Sequence, residues 1–133
     1  MSDSIDGRSR ELLDGKNFAH VVTTSGDGKP HVAVVWADVE GDEILLNGAE
    51  DREWSTRLRS RPDVLVTVVN LDDPYEYVTI RGKAVEVTPE GGAAHIDKLA
   101  KKYLGKDVYP AHDESVARLL VRIQPEKVRL RGG

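Results

Sequence analysis

The sequence predicts a mainly β protein whose short strands form an antiparallel barrel with one internal helix. Apolar runs rich in Val, Ile and Leu recur along the chain, and Gly, Asp and Pro residues cluster between them. Only Ala94 to Leu104 repeats its apolar residues with helical spacing instead. Roughly six or seven strands with short connections favour a closed or nearly closed barrel, because closure removes exposed strand edges.

The first predicted elements are a short helix and a β-hairpin. Asp6 to Asp14 is a candidate helix that ends at Gly15. The strand Ala19 to Thr24 follows it. Asp27-Gly28 predicts a tight hairpin, since glycine accepts the positive φ of such turns. The SGDG segment is therefore a turn and not a dinucleotide-binding loop, which would lead into a helix.

Further strands follow, and a hairpin-type turn at Gly41-Asp42 joins the first two of them. The predicted strands are His31 to Val39, Glu43 to Asn47, Val64 to Asn70, Tyr77 to Val87 and Leu119 to Gln124. Pro125 is expected to interrupt the last strand, because proline cannot donate to a sheet ladder. Val128 and Leu130 then suggest a short final strand.

The internal helix is amphipathic and ends at Gly105. Its apolar residues fall at i, i+3, i+4 and i+7, on one face: Ile96, Leu99, Ala100 and Tyr103. Its polar residues are expected to face away from the barrel: Asp97, Lys98, Lys101 and Lys102.

Composition limits the class of protein. With 133 residues, 39% of them hydrophobic and 32% charged, the chain predicts one packed domain over residues 1–133. A net charge of −4 argues against a general nucleic-acid binder. The absence of cysteine excludes thiol nucleophiles and fits a cytoplasmic protein. We expect no membrane partner, because no apolar run approaches the roughly 20 residues of a span.

The sequence contains no recognisable catalytic motif and no metal-ligand spacing among its four histidines. Pro30 to Pro62 instead couples apolar strands to a basic segment with Arg52, Arg57, Arg59 and Arg61. Strand backbone groups can pair with the edge of a heterocycle, and guanidinium groups bind phosphate. We therefore expect a flavin-like cofactor, which itself carries the atom that exchanges hydride.

Four segments resemble a known family: PHVxxVW, the Arg-rich helix before RPxV, DPYxYxxIRG and HIDxLAxKYxG. From Phe18 to Leu130 the chain resembles the pyridoxamine 5′-phosphate oxidase-like superfamily, and within it the oxidoreductases that use the deazaflavin coenzyme F420. The resemblance implies a split β-barrel with flanking short helices. It also implies a homodimer whose cofactor lies in the groove between subunits.

The resemblance also implies which residues contact the cofactor. Val35 and Trp36 would touch the ring, although Trp36 is equally expected in the core, where strand aromatics commonly pack. His31 opens the same strand and is expected near the cofactor. Asn47 to Glu50 would lead past the ribityl chain, and Arg52 would hold the phosphate.

The helix after Arg52 departs from the family pattern. Many relatives carry Gly-Arg-x-Lys-x-Arg-Asn-Leu, whereas residues 51–58 of this chain are DREWSTRL. Trp54 replaces the lysine and is expected to stack over the cofactor or to line its entrance. Three neighbours are expected to donate replacement hydrogen bonds to the phosphate: Ser55, Thr56 and Arg57.

Two later segments are expected to close the site. Tyr77 is the last residue of the DPYEY segment, which combines a turn with two phenols, and Lys106 and Tyr109 lie beyond the internal helix. For Tyr77 and Tyr103, core packing explains the sequence at least as well as ligand contact. A basic strip would attract the glutamate tail of F420, which FMN lacks, or is simply a solvated face. This basic strip consists of Lys98, Lys101, Lys102 and Lys106.

The sequence thus predicts an F420-dependent oxidoreductase that transfers hydride to a small unsaturated organic substrate. One alternative is an FMN-dependent enzyme of the same superfamily. The other is a non-catalytic protein that binds a flavin, F420 or haem. The expected partners are a small-molecule substrate and a second copy of the chain.

Overall fold

A computed structural model describes residues 3–132 of the chain. Within this range, a curled antiparallel sheet of seven strands carries three short helices. In chain order the elements are α1 (Gly7–Asp14), β1 (Ala19–Thr24), β2 (Pro30–Val35), β3 (Ala37–Glu40), β4 (Glu43–Ala49), α2 (Glu53–Arg57), β5 (Asp63–Val69), β6 (Tyr77–Thr88), α3 (Gly92–Leu104) and β7 (Arg118–Arg131). The architecture confirms the mainly β, split-barrel prediction.

The strand order explains how the barrel is split. The strands lie in the order β2-β1-β5-β6-β7-β4-β3, so β2 and β3 are the two edges of the sheet. Only Trp36 separates these edge strands in the sequence. The sheet must therefore curl until its edges approach each other at Trp36. The predicted single strand His31 to Val39 was wrong, because the chain changes sheet edge in its middle.

The two predicted hairpin turns are confirmed. Gly28 and Gly41 adopt positive φ values of 84° and 58°, between β1 and β2 and between β3 and β4. The interruption predicted at Pro125 is wrong, since β7 runs continuously from Arg118 to Arg131. Pro125 pairs with Gly82 at a register shift, and this irregularity accommodates the residue that cannot donate to the ladder.

The main core fills the inside of the curled sheet. It takes apolar side chains from α1, α2 and most strands, including Leu13, Val21, Ile44, Leu46, Leu58, Val66, Ile80 and Ile123. β4 is buried on both faces, because α3 contacts it on the side away from this core. Leu45 and Asn47 occupy that second face and are 2% and 4% exposed.

Helix α3 has the apolar face that its spacing predicts, since Ile96, Leu99 and Ala100 are buried. Lys102 does not face away as expected. Its Nζ donates hydrogen bonds to the carbonyl oxygens of Leu13 and Ala37, at 2.7 and 2.6 Å. These two bonds join α3 to α1 and β3. Burial lowers the pKa of Lys102.

No helix of the described residues is long and apolar enough to cross a membrane.

Candidate functional site

A cavity of about 540 Å³ opens beside β2, where the chain crosses from one sheet edge to the other. Its volume lies within the range of roughly 300–1,000 Å³ that is usual for small-molecule sites. The residues that line it form an apolar wall, an aromatic corner and a polar end. The cavity thus has the composition of a site for a ligand with an apolar body and a polar tail.

The apolar wall is the strand β2 itself, through Val32, Ala33, Val34 and Val35. Ala33 and Val35 pack against the core, whereas Val32 and Val34 are 66% and 59% exposed. β2 pairs with β1 on one side only, and within residues 3–132 no strand pairs with its other side. Its outer backbone groups are therefore available to the edge of a ligand or to a second chain.

Trp36 forms the aromatic corner together with Tyr103 and Tyr109. Its ring stacks on Tyr103, with centroids 5.1 Å apart and planes 5° apart, and the Tyr109 ring meets it edge-on at 5.8 Å. The Tyr103 hydroxyl accepts a hydrogen bond from the Ala37 N–H and donates one to the Asn17 carbonyl. These bonds fix the stack, so Trp36 is half-buried and also lines the cavity.

The polar end contains Asn47, Arg52 and Arg118. Arg52 is exposed, and its side chain makes no hydrogen bond or ion pair with another described residue. Arg118 is half-buried and donates from Nε to Asn47 Oδ1 at 2.8 Å. Its guanidinium lies over the Tyr109 ring, 5.3 Å from the centroid. Burial lowers the pKa of Arg118.

A buried polar chain lies behind this end, under α3. Asn47 Nδ2 donates to the Gly92 carbonyl at 2.9 Å and approaches His95 Nδ1 at 3.3 Å. His95 Nε2 lies 3.5 Å from Asp38 Oδ2, and Lys98 Nζ lies 3.0 Å from the same oxygen. Burial alone would raise the pKa of the Asp38 carboxyl. Its contacts with His95 and Lys98 outweigh burial and hold that pKa well below its usual range.

Six of the thirteen residues predicted to contact the cofactor line this cavity: Val35, Trp36, Asn47, Arg52, Trp54 and Tyr109. Trp54 lines the cavity from α2, and its predicted stacking over the cofactor or at the cavity entrance stays a prediction. It is 9% exposed, and a Cβ added at Gly48 would lie 2.7 Å from its ring. The other seven lie outside the cavity lining: His31, Glu50, Ser55, Thr56, Arg57, Tyr77 and Lys106.

Several of these outside residues already bond within the chain. His31 Nε2 lies 3.0 Å from Ser25 Oγ in the β1–β2 hairpin. Ser55 Oγ bonds to backbone carbonyls, and so does Thr56 Oγ1. Arg57 donates to Thr23 Oγ1 at 2.9 Å. Their predicted contacts with a cofactor stay predictions, and the cavity gives them no support.

The basic strip is also largely engaged within the chain. Besides the half-buried Lys102, Lys98 pairs with Asp38, and Lys101 Nζ lies 3.3 Å from Asp107. Lys106 is exposed and makes no ion pair with another described residue. Fewer lysines of this strip are therefore free to attract a glutamate tail than the sequence predicts.

Sequence reasoning missed Arg118, which the structure places at the polar end. The reason is that its position depends on strand register: Arg118 lies opposite Ala49, where β7 pairs with β4. Phe18 and Ile96 line the cavity as well and were also not predicted. The sequence carries no local signal for any of these three, since each approaches the site from a different element.

A family model described as pyridoxamine 5′-phosphate oxidase matches residues 6–132. The chain belongs to this family. Members of the family bind flavin-type cofactors such as FMN, and they commonly form dimers. The comparison with curated proteins gave no match.

Three solved structures show the same fold at low identity. A protein titled F420 reductase superposes with a TM-score of 0.80 at 22% identity, covering 90% of this chain and 94% of that one. A Listeria innocua protein provisionally described as a pyridoxamine 5′-phosphate oxidase gives 0.69 at 19%, covering 90% and 92%. The flavocytochrome Anf3 of Azotobacter vinelandii gives 0.70 at 18%, covering 97% and 68%.

Proposed function

We propose that this cavity binds a deazaflavin or flavin cofactor and that the protein is an oxidoreductase. In this proposal coenzyme F420 is the cofactor, FMN is the alternative, and a small unsaturated organic compound receives the hydride. The observation that carries the proposal is the combination of an apolar strand edge, an aromatic corner and an arginine-bearing end in one cavity. The fold shared with an F420 reductase supports F420 as the first choice.

The residues present fit such a cofactor. The β2 wall offers apolar side chains to a flat ring and unpaired backbone groups to its polar edge. At the polar end, Arg52 and Arg118 form no ion pair with another described residue, and Asp51 acts on Arg118 only through space. Two guanidinium groups that form no ion pair within the described chain suit the phosphate that both F420 and FMN carry.

When bound, the cofactor supplies the ring atom that exchanges hydride. The chain would then position the ring against β2 and Trp36, exclude water from it and hold the tail. Of the residues that line the cavity, only Arg52, Tyr109 and Arg118 are ionisable. This lining suits hydride transfer, which depends on position and shielding more than on a general base.

The same lining disfavours the haem-binding alternative. None of the residues around the cavity is a histidine, cysteine or methionine, although Tyr109 offers a phenol oxygen. The ordinary nitrogen and sulfur ligands of haem iron are therefore missing from this wall.

We also propose that the functional unit is a homodimer of one-domain chains. The exposed valines of β2 and its free strand edge form a surface that monomers usually cover. A second copy seated there would close the cavity from outside, so that both chains contribute to each site.

Turnover tests the proposal. The purified protein is mixed anaerobically with reduced F420, or with reduced FMN, and a panel of activated alkenes, and oxidation of the cofactor is followed by absorbance. We expect oxidation that requires both protein and alkene and that Trp36→Ala slows. Tight binding of either cofactor without turnover across the panel would instead support a cofactor carrier.

A further inference from the structure

We propose that Arg118 forms, with Arg52, a two-guanidinium site for a phosphoryl group, and that Asn47 and His95 position Arg118 for it. The inference rests on the proposed function and deepens it, because the phosphoryl group is the one carried by the cofactor tail. The sequence predicts one phosphate-binding residue, Arg52, which follows β4. The inference adds a second, Arg118, which begins β7 after α3.

Both arginines are positioned beside Ala49, the last residue of β4. Arg118 lies opposite Ala49 in the β4–β7 register. The Arg52 backbone N–H in turn donates to the Ala49 carbonyl at 2.9 Å. Both side chains line the same cavity. The Arg52 charge is close enough to lower the pKa of Arg118, after burial, while Tyr109 and Asp51 oppose that shift.

Arg52 and Arg118 form no ion pair with another described residue, and Asp51 opposes the repulsion between their like charges only through space, so the arrangement favours an anion between them. Arg118 donates only from Nε to another described residue, which leaves both terminal nitrogens for a ligand. A guanidinium group binds phosphate oxygens through two parallel hydrogen bonds. Two such groups match the charge of the FMN phosphate monoester, which is close to −2 at neutral pH, and they also suit the singly charged phosphodiester of F420.

The Arg118 guanidinium is held in one orientation. Asn47 Nδ2 uses its two hydrogens on the Gly92 carbonyl and His95 Nδ1, which leaves Oδ1 to accept from Arg118. A flipped amide would set a donor against Arg118 Nε. Tyr109 supports the other side of the guanidinium. A Cβ added at Gly92 would overlap the Arg118 carbonyl oxygen, so the start of α3 packs directly against the backbone of Arg118.

The composition of this buried chain favours positioning over stability. Asn47, His95 and Asp38 are 4%, 7% and 6% exposed. Buried polar groups contribute little net stability compared with apolar residues of similar size. The hydrogen bonds that Asn47 makes do select one geometry, although His95 Nε2 stays without a hydrogen-bond partner in the described chain. Here the geometry that they select is that of Arg118.

Two matched ligand pairs test the proposal. FMN is compared with riboflavin, and F420 with its deazaflavin chromophore without the phosphorylated tail, by fluorescence titration. The wild-type protein should prefer the phosphorylated member of the pair that it binds. Arg118→Gln should weaken binding of that member roughly 10- to 100-fold, the range for hydrogen bonds to charged groups, and should change the other member less than about threefold. Inorganic phosphate should compete with FMN but not with riboflavin.

Three further variants separate direct binding from a structural role. Arg122→Gln is the matched control on the same strand, because Arg122 pairs with Glu40, Glu43 and Glu86 and does not line the cavity. Arg118→Lys keeps the charge and should retain part of the preference, even if Arg118→Gln fails to fold. His95→Phe should reduce the preference for the phosphorylated member while Arg118 is still present.

The possible failures are distinguishable. An equal loss for both members of a pair in Arg118→Gln and Arg118→Lys would make Arg118 structural and overturn the inference alone. An unchanged preference in both variants would do the same. A wild-type protein that binds all four ligands without preference would remove the phosphoryl site but leave the cofactor site. Binding of none of the four would overturn the proposed function and this inference together.

Discussion

The two edge strands of the sheet differ sharply, although only Trp36 separates them in the sequence. In β3, Ala37, Asp38 and Val39 are all at most 6% exposed. In β2, Val32 and Val34 are 66% and 59% exposed, and no residue of that strand is fully buried.

The difference comes from what covers each edge. Helix α1 packs on β3, and two residues of α3, Lys102 and Tyr103, bond to the backbone of Ala37. No comparable cover lies over β2 among the described residues, and the candidate cavity opens beside it instead. An edge strand is normally covered or blunted, because its free backbone groups attract other strands. We infer that β3 is an edge closed by the fold and that β2 is an edge left for a ligand and a second chain.

The largest expected effect is on assembly. Val32→Asp combined with Val34→Asp should convert a dimer into monomers at micromolar concentration and weaken cofactor binding, because two charges would have to be buried at the interface. Light scattering measures the mass. Val85→Asp is the control, since Val85 is 52% exposed on β6 and does not line the cavity. A double variant that remains dimeric would show that β2 is not the interface.

The same truncation at both edges should separate their roles in stability. Val39→Ala should lower the free energy of unfolding by about 1.5–3 kcal/mol, since it removes two buried methyl groups and leaves a cavity. In monomeric protein, Val34→Ala should change it by less than about 0.5 kcal/mol, the usual range for exposed sites, whereas in the dimer the same variant should cost more. Urea denaturation of both variants at two protein concentrations, one below and one above the range in which the dimer dissociates, measures both effects. Equal losses at the lower concentration would mean that β2 is covered within a single chain.

These comparisons also show which features of the fold and of the candidate site the sequence predicts. Local signals predicted the turns at Gly28 and Gly41 and the apolar face of α3, because turn chemistry and helical spacing depend on neighbours. The change of edge at Trp36 was missed, since it depends on the order of strands in the whole sheet. Arg118 was missed for the same reason, because strand register places it opposite Ala49.

A smaller effect is expected at the closed edge through Tyr103. Tyr103→Phe removes the hydroxyl that bonds to Ala37 and Asn17, and should cost about 1–3 kcal/mol because the Ala37 N–H loses its partner. Burial raises the pKa of Tyr103 above the ordinary value of 10.0. The neutral phenol therefore stabilises the fold fully below that value, and this stability is lost as pH rises through the higher folded pKa.

The pH dependence of the unfolding free energy tests the role of the Tyr103 hydroxyl separately. Between pH 9 and pH 11, the gap in unfolding free energy between wild type and Tyr103→Phe should narrow as pH rises. Tyr75 serves as a control, because it is 80% exposed and Tyr75→Phe should leave the pH profile unchanged. A constant gap for Tyr103→Phe would show that the hydroxyl does not titrate with folding.

Intrinsic fluorescence tests the central claim most directly, because the chain has two tryptophans and both line the candidate cavity. The absorption bands of F420 and FMN overlap the long-wavelength side of tryptophan emission, so either one bound in contact with both rings should quench most of the emission. We predict quenching that saturates at one cofactor per chain and that is weakened by Val32→Asp with Val34→Asp but not by Val85→Asp. Tryptophan emission unchanged by both cofactors, in protein that is folded by circular dichroism, would contradict the account.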